Sequence, residues 1–206
     1  MTEISSYMLN VIAGVMADSF MEDPLMQEVF NGIPNMRDII FEHSRLQLDF
    51  ASQNQELIFI DDNPLAFLIG VDSKHEKKFA ESWLYFRIML KTLNMLRPSQ
   101  ISKILANNRR ASRVLSLSWQ KKYVKGRYYH IKIIAIDKEQ RGAGIFRRLI
   151  SQVIEYCDLR NIPIVLETHN PNNVPIYERF GFKVVDTRSA PGIDLKQYCM
   201  LRPAAG

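Results

Sequence analysis

Tyr128-Tyr-His-Ile-Lys-Ile-Ile-Ala-Ile136, followed after Asp137-Lys-Glu-Gln by Arg141-Gly-Ala-Gly-Ile-Phe146, is the stretch that decides how this chain folds. Its β-branched residues make 128–136 the strongest strand in the sequence. From Gly142 to Asn161 the apolar residues Ile145, Leu149, Val153, Ile154 and Cys157 fall on one side of a helix. A strand that passes through two close glycines into a helix suits an anion. The first turn of a helix has unpaired N–H groups and the positive end of the helix dipole, glycines at 142 and 144 admit a ligand close to the backbone, and Arg141 adds a charged donor. Such a turn is also a plain connection in many α/β chains. It lacks the third glycine of a dinucleotide fingerprint and the Gly-Lys-Ser/Thr of a nucleotide-triphosphatase loop.

Working outward, Pro163 to Thr168 reads as a buried strand and Asn173 to Phe180 as a short helix. Phe182 to Asp186 and Leu195 to Leu201 read as two strands around the turn signal Ala190-Pro191-Gly192. Upstream, Ile4 to Phe20, Pro24 to Phe30 and Asn35 to Ala51 have helical apolar spacing, with Asp23-Pro24 as a break and restart. Glu56 to Asp61 and Leu65 to Val71 read as antiparallel strands about the turn Asp61-Asp62-Asn63-Pro64. Between Val71 and Tyr128 the pattern is helical again. Trp83, Phe86, Leu90, Leu93 and Leu96 lie three or four apart, Pro98-Ser99 restarts a helix, and a third piece is predicted over Arg110 to Tyr123, ended by Gly126. One domain over residues 1–206 is expected, with 72–126 as a helical insertion and 127–186 as its core.

Charge is segregated along the chain. No Asp or Glu lies between Glu81 and Asp137, where there are twelve Lys and Arg residues, so the rest of the chain is net acidic although the whole carries +5. The basic stretch has three readings: a solvated helical face, a surface that attracts an anionic ligand or substrate, and a nucleic-acid patch. The first is the ordinary expectation. No nucleic-acid motif accompanies the charge, so no nucleic-acid partner is expected. The aromatics Trp83, Tyr85, Phe86 and Trp119 are expected to pack in the core. Cys157 and Cys199 are far apart in sequence and lie in no CxxC or Cys/His cluster, which suggests neither a disulfide framework nor a metal site. Tyr7 to Met16 lacks the basic flank of a signal peptide, and Arg87 and Lys91 interrupt the most apolar window, Ser82 to Met95. A soluble, cytoplasmic protein without a membrane partner is the expectation.

The strand, the Arg141-to-Phe146 loop and its helix resemble the GNAT superfamily of N-acetyltransferases, whose signature is Gln/Arg-x-x-Gly-x-Gly/Ala after a strand. Arg141 and Gly144 match it, and Phe146 stands where a small residue is usual. Asn170-Pro-Asn-Asn-Val-Pro-Ile-Tyr-Glu-Arg-Phe-Gly-Phe182 is similar to the family's asparagine followed by Tyr-Glu-x-x-Gly-Phe. The likeness covers roughly Tyr128 to Asp186, with the strand ending Met200-Leu201-Arg202 also similar; the N-terminal half matches only in element order. Members open with a strand, for which only Thr2 to Ser6 is available here. The resemblance implies an α/β (α+β) acyl-CoA acyltransferase fold, a mixed central β-sheet flanked by helices, with the helical insertion entering before the central strand.

The same resemblance implies acetyl-coenzyme A as the acyl donor and a primary amine of a small molecule or peptide as acceptor. The coenzyme would lie where strands 131–136 and 164–168 splay apart. The backbone of Ile134, Ala135 and Ile136 would meet the pantetheine arm, and Arg141, Gly142, Ala143, Gly144, Ile145 and Phe146 the pyrophosphate. Asn170 and Asn173 are assigned to the coenzyme as well, although Asn170 before Pro171 is equally an ordinary turn residue. Tyr177 matches the tyrosine that protonates the departing sulfur and otherwise is a packing residue. An alkyl ammonium must lose a proton before it attacks, and His130 is the candidate base, with a structural or exposed histidine as the other reading. Strand alternation puts His130, Lys132 and Ile134 on one face. Many relatives pair as homodimers. The alternative to an enzyme is a non-catalytic acyl-coenzyme A-binding or regulatory module of the same fold.

Overall fold

The computed structural model describes residues 5–54, 57–60 and 63–205. Thr2 to Ile4 of the short opening strand, Glu56, and Asp61-Asp62 of the first hairpin turn therefore lie outside the described residues. Three helices come first: α1 (Ser6–Phe20), α2 (Pro24–Val29) and α3 (Met36–Gln53). The break between α1 and α2 has a local cause. Asp23 Oδ1 accepts the Leu25 and Met26 amides at 3.0 and 3.2 Å, and Pro24 occupies the first helical turn where its missing N–H costs nothing.

Strands β1 (Leu57–Ile60) and β2 (Asn63–Asp72) precede the helices α4 (Lys78–Met95), α5 (Pro98–Ala111) and α6 (Gln120–Tyr123). Then follow β3 (Tyr129–Ile136), α7 (Ile145–Asp158), β4 (Ile164–Thr168), α8 (Val174–Glu178), β5 (Lys183–Ala190) and β6 (Ile193–Arg202). The strands form one sheet in the order β1-β2-β3-β4-β6-β5, in which only β3 and β4 are parallel. The α7 and α8 side of the sheet buries Leu149, Ile150 and Val153 against Ala66, Leu68, Ile131 and Leu166. On the opposite side, Ile12 and Met16 of α1 and Leu48 of α3 cover Phe67, Ile69 and Ala135. Each such fully buried aliphatic side chain contributes about 1.5–3 kcal/mol.

Two expectations are corrected in the insertion. The helix read over Arg110 to Tyr123 does not form as one piece: α5 stops at Ala111 and α6 has four residues. Between them the Ser116 backbone is satisfied by β6 instead of by a helical partner, its amide donating to Gln197 Oε1 at 2.7 Å and its carbonyl accepting from Gln197 Nε2 at 3.3 Å. Of the four aromatics expected inside, only Trp119 is buried; Trp83, Tyr85 and Phe86 lie on the outward face of α4, whose inner face packs through Leu84 and Thr92. The basic stretch is also neutralised in part by the acidic half of the chain, through Lys91–Glu42, Arg110–Glu28, Arg127–Asp72 and Lys132–Glu81. The Arg127–Asp72 pair joins the two ends of the insertion, since Asp72 closes β2 and Arg127 lies just before β3.

A third correction concerns the central strand. β2 pairs with β3 from Ala66↔Ile136 to Asp72↔Tyr129, but Ile69 faces Ile133 and the next residue, Gly70, faces Ile131, so Lys132 is an extra residue in a β-bulge. The alternation of side chains inverts there. Ile134 and Ile136 pack toward α7 with Tyr129 and Ile131, whereas Ile133 and Ala135 pack toward α1. His130 and Ile134 are therefore on opposite faces. Among the described residues no helix is long and apolar enough to cross a membrane.

Candidate active site

β3 and β4 are hydrogen-bonded over three residue pairs only, Tyr129↔Ile164, His130↔Val165 and Ile131↔Leu166. Beyond the Lys132 bulge β3 runs on to Ile136 and β4 to Thr168 without pairing to each other, so the two parallel strands splay as expected. On that side Ile134, Ala135 and Ile136 offer strand backbone that β4 does not use.

The loop after β3 makes one 3-10 turn, Lys138–Gln140, and then reaches Arg141. Gly142 and Gly144 take φ of 89° and 73°, the left-handed region in which residues with a Cβ are strained, and a Cβ built on either would meet no protein atom within 4 Å. The loop thus has a backbone concavity that side chains leave open. The helix expected from Gly142 begins only at Ile145, because Gly144 in the left-handed conformation forms its N-cap. The amides of its first turn lack intrahelical partners, and Arg141 and Arg148 flank them as exposed cations. This geometry fits a diphosphate.

Phe146, in the first turn of α7, meets Tyr177 of α8 edge to face with ring centroids 5.7 Å apart, and Phe180 at 5.4 Å. Tyr177 also stands against Phe182 at 5.8 Å. Burial pushes the Tyr177 phenol up to about 12, so it is a proton donor throughout the physiological range. Asn170 Oδ1 accepts the Asn172 amide at 3.0 Å, which is the turn role, and Asn173 Nδ2 donates to Thr168 Oγ1 at 3.2 Å. Both asparagines hold the loop that carries α8 against the end of β4.

His130 lies on the face away from α7, with Nε2 2.7 Å from Glu167 Oε2. The other oxygen of Glu167 accepts Trp119 Nε1–H at 2.7 Å. Burial would raise the Glu167 carboxyl, but the bonds from His130 and Trp119 and the nearby His169 outweigh it and hold the group below the ordinary carboxylate range. One residue beyond β4, His169 has a shielded Nε2 with no hydrogen-bond partner among the described residues. Its pKa is lowered by burial, against the pull of Asp23 and Glu167. The sequence reading gives Glu167, His169 and Trp119 no site role, and places Trp119 only among the core aromatics. A signal was there for Glu167: it is the lone charge in a strand that otherwise reads Ile-Val-Leu and Thr.

A cavity of about 680 Å³ opens beside His169, between α2, the loop after β4 and β6, with Gln27, Glu28, Asn31, Asp194 and Tyr198 in its wall. Neither Tyr177 nor the 141–146 loop borders it. Cys157 and Cys199 are buried, and burial raises both thiols to about 12, which leaves them unreactive. No group of three or more His, Cys, Asp or Glu side chains gathers as metal ligands among the described residues.

Residues 108–200 match the family described as acetyltransferase (GNAT) domain. Over 54 residues the chain is 35% identical to an uncharacterized N-acetyltransferase of Schizosaccharomyces pombe, a match covering 26% of this chain and 22% of that protein. The chain thus spans about a fifth of the length of the curated relatives it matches. Among solved structures, an N-acetyltransferase from Staphylococcus aureus superposes with a TM-score of 0.57 at 16% identity, covering 94% of each chain. Arylalkylamine N-acetyltransferase 2 from Aedes aegypti gives 0.54 at 14% identity over 98% of this chain and 97% of that one. At these identities the likeness is one of fold. The open glycine loop and the splayed parallel pair both lie within residues 108–200, the segment that matches the acetyltransferase (GNAT) domain family.

Proposed function

We propose that the chain is an N-acetyltransferase that moves the acetyl group of acetyl-coenzyme A to a primary amine of a small molecule or peptide. The observation that carries this reading is the edge-to-face meeting of Phe146 and Tyr177, which brings the diphosphate-fitting loop and a protonated phenol to the same end of the β3/β4 splay. The backbone of Ile134 to Ile136 takes the pantetheine arm, and the residues from Arg141 to Phe146 take the pyrophosphate through amides and charge. Asn170 and Asn173 support the loop on the coenzyme's other side. Amine attack on the thioester carbonyl forms the amide bond and breaks the C–S bond. Tyr177 supplies a proton as charge develops on sulfur.

The attacking amine must first be deprotonated. His130, Glu167 and His169 make an imidazole–carboxylate group beside the splay, and we assign proton removal to it. His130, fixed through its Nε2 to Glu167, keeps that carboxylate ionised next to the second imidazole.

The test is calorimetric titration with coenzyme A followed by thiol release from acetyl-coenzyme A with a panel of primary amines. Binding in the micromolar range and amine-dependent thiol release are expected. Absence of binding overturns the reading, and binding without thiol release from any amine turns it to a non-catalytic acyl-coenzyme A-binding module.

A further inference from the structure

Along α4, Phe79, Trp83, Phe86 and Leu90 recur four, three and four residues apart, which puts them on one stripe of the helix. The stripe faces away from the protein. Phe79 is 90% and Trp83 57% exposed, Phe86 and Leu90 are exposed as well, and Met89 widens the same surface, while Leu84 and Thr92 on the opposite side are buried. Trp83 and Phe86 stack with ring centroids 5.4 Å apart. Together these side chains leave about 500 Å² of apolar surface in one patch, the upper end for a protein with no partner there. The charges around the patch say what kind of partner it suits. Arg87 and Lys91 border the stripe on one side and Lys78 on the other, and Lys74 and Lys77 stand exposed just before the helix. α4 has a single acidic residue, Glu81, which is part-buried and paired with Lys132. The neighbouring carboxylates Glu76 and Glu42 are part-buried too, and lie 3.9 Å from Lys78 and 3.2 Å from Lys91.

A second copy laid on this stripe would bring cations against cations in either orientation, with no exposed carboxylate on α4 to answer them. An anionic partner would complement them. α4 also stands as a ridge, buried along one side only, which suits a flat surface better than a threaded peptide. An apolar crest with Lys and Arg on both flanks is the arrangement of a helix that lies in a lipid–water interface, its crest below the headgroups and its cations among them. Such a helix rests on the bilayer without crossing it. We propose that α4 docks the protein in-plane on an anionic lipid bilayer. Phe79, Trp83, Phe86 and Leu90 enter the boundary between headgroups and acyl chains, and Lys78, Arg87 and Lys91 meet lipid phosphates. The inference is independent of the acetyl-transfer reading, since none of these residues is assigned to the coenzyme or to proton transfer.

The experiment is co-sedimentation of the full chain with vesicles of phosphatidylcholine alone and of phosphatidylcholine with about one-third phosphatidylserine, read together with tryptophan emission. Trp119 is buried and gives a constant background, so a change in emission reports Trp83. Binding to the phosphatidylserine vesicles with a blue shift is expected, about tenfold or more tighter than to phosphatidylcholine alone, and weaker at high salt. The double variant Phe79→Ser with Phe86→Ser alters exposed side chains and leaves the core untouched; it should weaken binding about tenfold or more. Arg87→Ala should weaken it about fivefold. Circular dichroism checks that each variant keeps the fold. No binding to either vesicle, equal binding to both, or full binding by the double variant overturns the proposal. So does light scattering that shows a dimer dissolved by the double variant together with an absence of vesicle binding, for then a second copy covers the stripe. Failure of the unaltered protein to bind coenzyme A is a different result, and it bears on the acetyl-transfer reading alone.

Discussion

Phe146 and Tyr177, thirty-one positions apart in sequence, stand edge to face with ring centroids 5.7 Å apart. The residue that departs from the small side chain usual at its position thus forms one wall around the phenol. Removing the hydroxyl leaves this packing in place. Tyr177→Phe should lower kcat by about 10²–10⁴-fold with the dissociation constant for coenzyme A within twofold of the starting value. Steady-state kinetics beside calorimetry decide it; unchanged turnover makes Tyr177 a packing residue. Phe146→Ala tests the support, and a loss of about 1–3 kcal/mol in urea unfolding is expected for a half-buried ring, with turnover falling because Tyr177 is less firmly held.

Gly142 and Gly144 provide the second prediction. Both have positive φ and open space where a Cβ would stand, so alanine at either site strains the backbone by about 1–2 kcal/mol without touching another protein atom. If the concavity receives a diphosphate, the added methyl group also fills the space the ligand needs. Coenzyme A affinity should then drop by more than the stability loss accounts for, tenfold or beyond. Arg141→Ala, which removes a charged donor worth about 1.5–3 kcal/mol, should weaken coenzyme A about tenfold to a hundredfold, and less at high salt. Calorimetry at two ionic strengths separates these effects. A variant that unfolds more easily yet binds equally well would show that the loop is only a connection.

Much of this architecture was legible in the sequence because its central pieces are locally consistent. The β-branched run ending at Ile136, the two glycines and the one-sided helix after them favour their observed states independently of tertiary context. What was not legible depended on partners remote in the chain. Ser116 leaves the helical pattern because Gln197, on β6, satisfies its backbone. The Lys132 bulge belongs to the register with β2, and no spacing within β3 announces it, so strand alternation put His130 and Ile134 on one face when they lie on two. Trp83, Tyr85 and Phe86 have helical spacing whether a neighbour covers them or not, and here α4 turns them outward. The site was half visible for the same reason. Arg141 to Phe146 and Tyr177 belong to contiguous motifs, whereas Glu167, His169 and Trp119 meet only through the fold.

The His130–Glu167 contact supplies a third test. If His130 acts by keeping Glu167 ionised, His130→Gln and Glu167→Gln should have similar effects, and the double variant should lose little more than either alone, the non-additivity expected of one interacting unit. Because Glu167 lies below the ordinary carboxylate range, its contribution to stability is present above that range and disappears as pH falls through its lowered value. Glu167→Gln should therefore flatten the acid limb of the unfolding curve below about pH 4.5. Independent, additive losses in kcat would separate the two residues functionally.

His43 governs stability at milder acidity. Thr92 Oγ1 donates to the Ile88 carbonyl at 2.8 Å, so the 2.6 Å contact between His43 Nε2 and Thr92 Oγ1 requires the imidazole to donate from Nε2. Burial lowers the His43 pKa to about 4, with the neighbouring Glu42 pulling weakly the other way. The folded protein therefore holds this ring neutral where the unfolded chain, with a value near 6.5, protonates it. The sign follows: the contribution is complete above about pH 6.5 and is lost progressively as pH falls toward 4, with about 2 kcal/mol gone between pH 7 and pH 5. His43→Phe replaces the imidazole with an apolar ring beside Phe30, whose centroid is 6.0 Å from that of His43, and leaves Thr92 bonded to Ile88. Urea unfolding at pH 7 and pH 5 should show the unaltered protein losing about 2 kcal/mol more than His43→Phe across that interval. Parallel losses in the two proteins would transfer the acid sensitivity to the Asp23, Glu167 and His169 group, the other place where buried ionisable groups oppose each other.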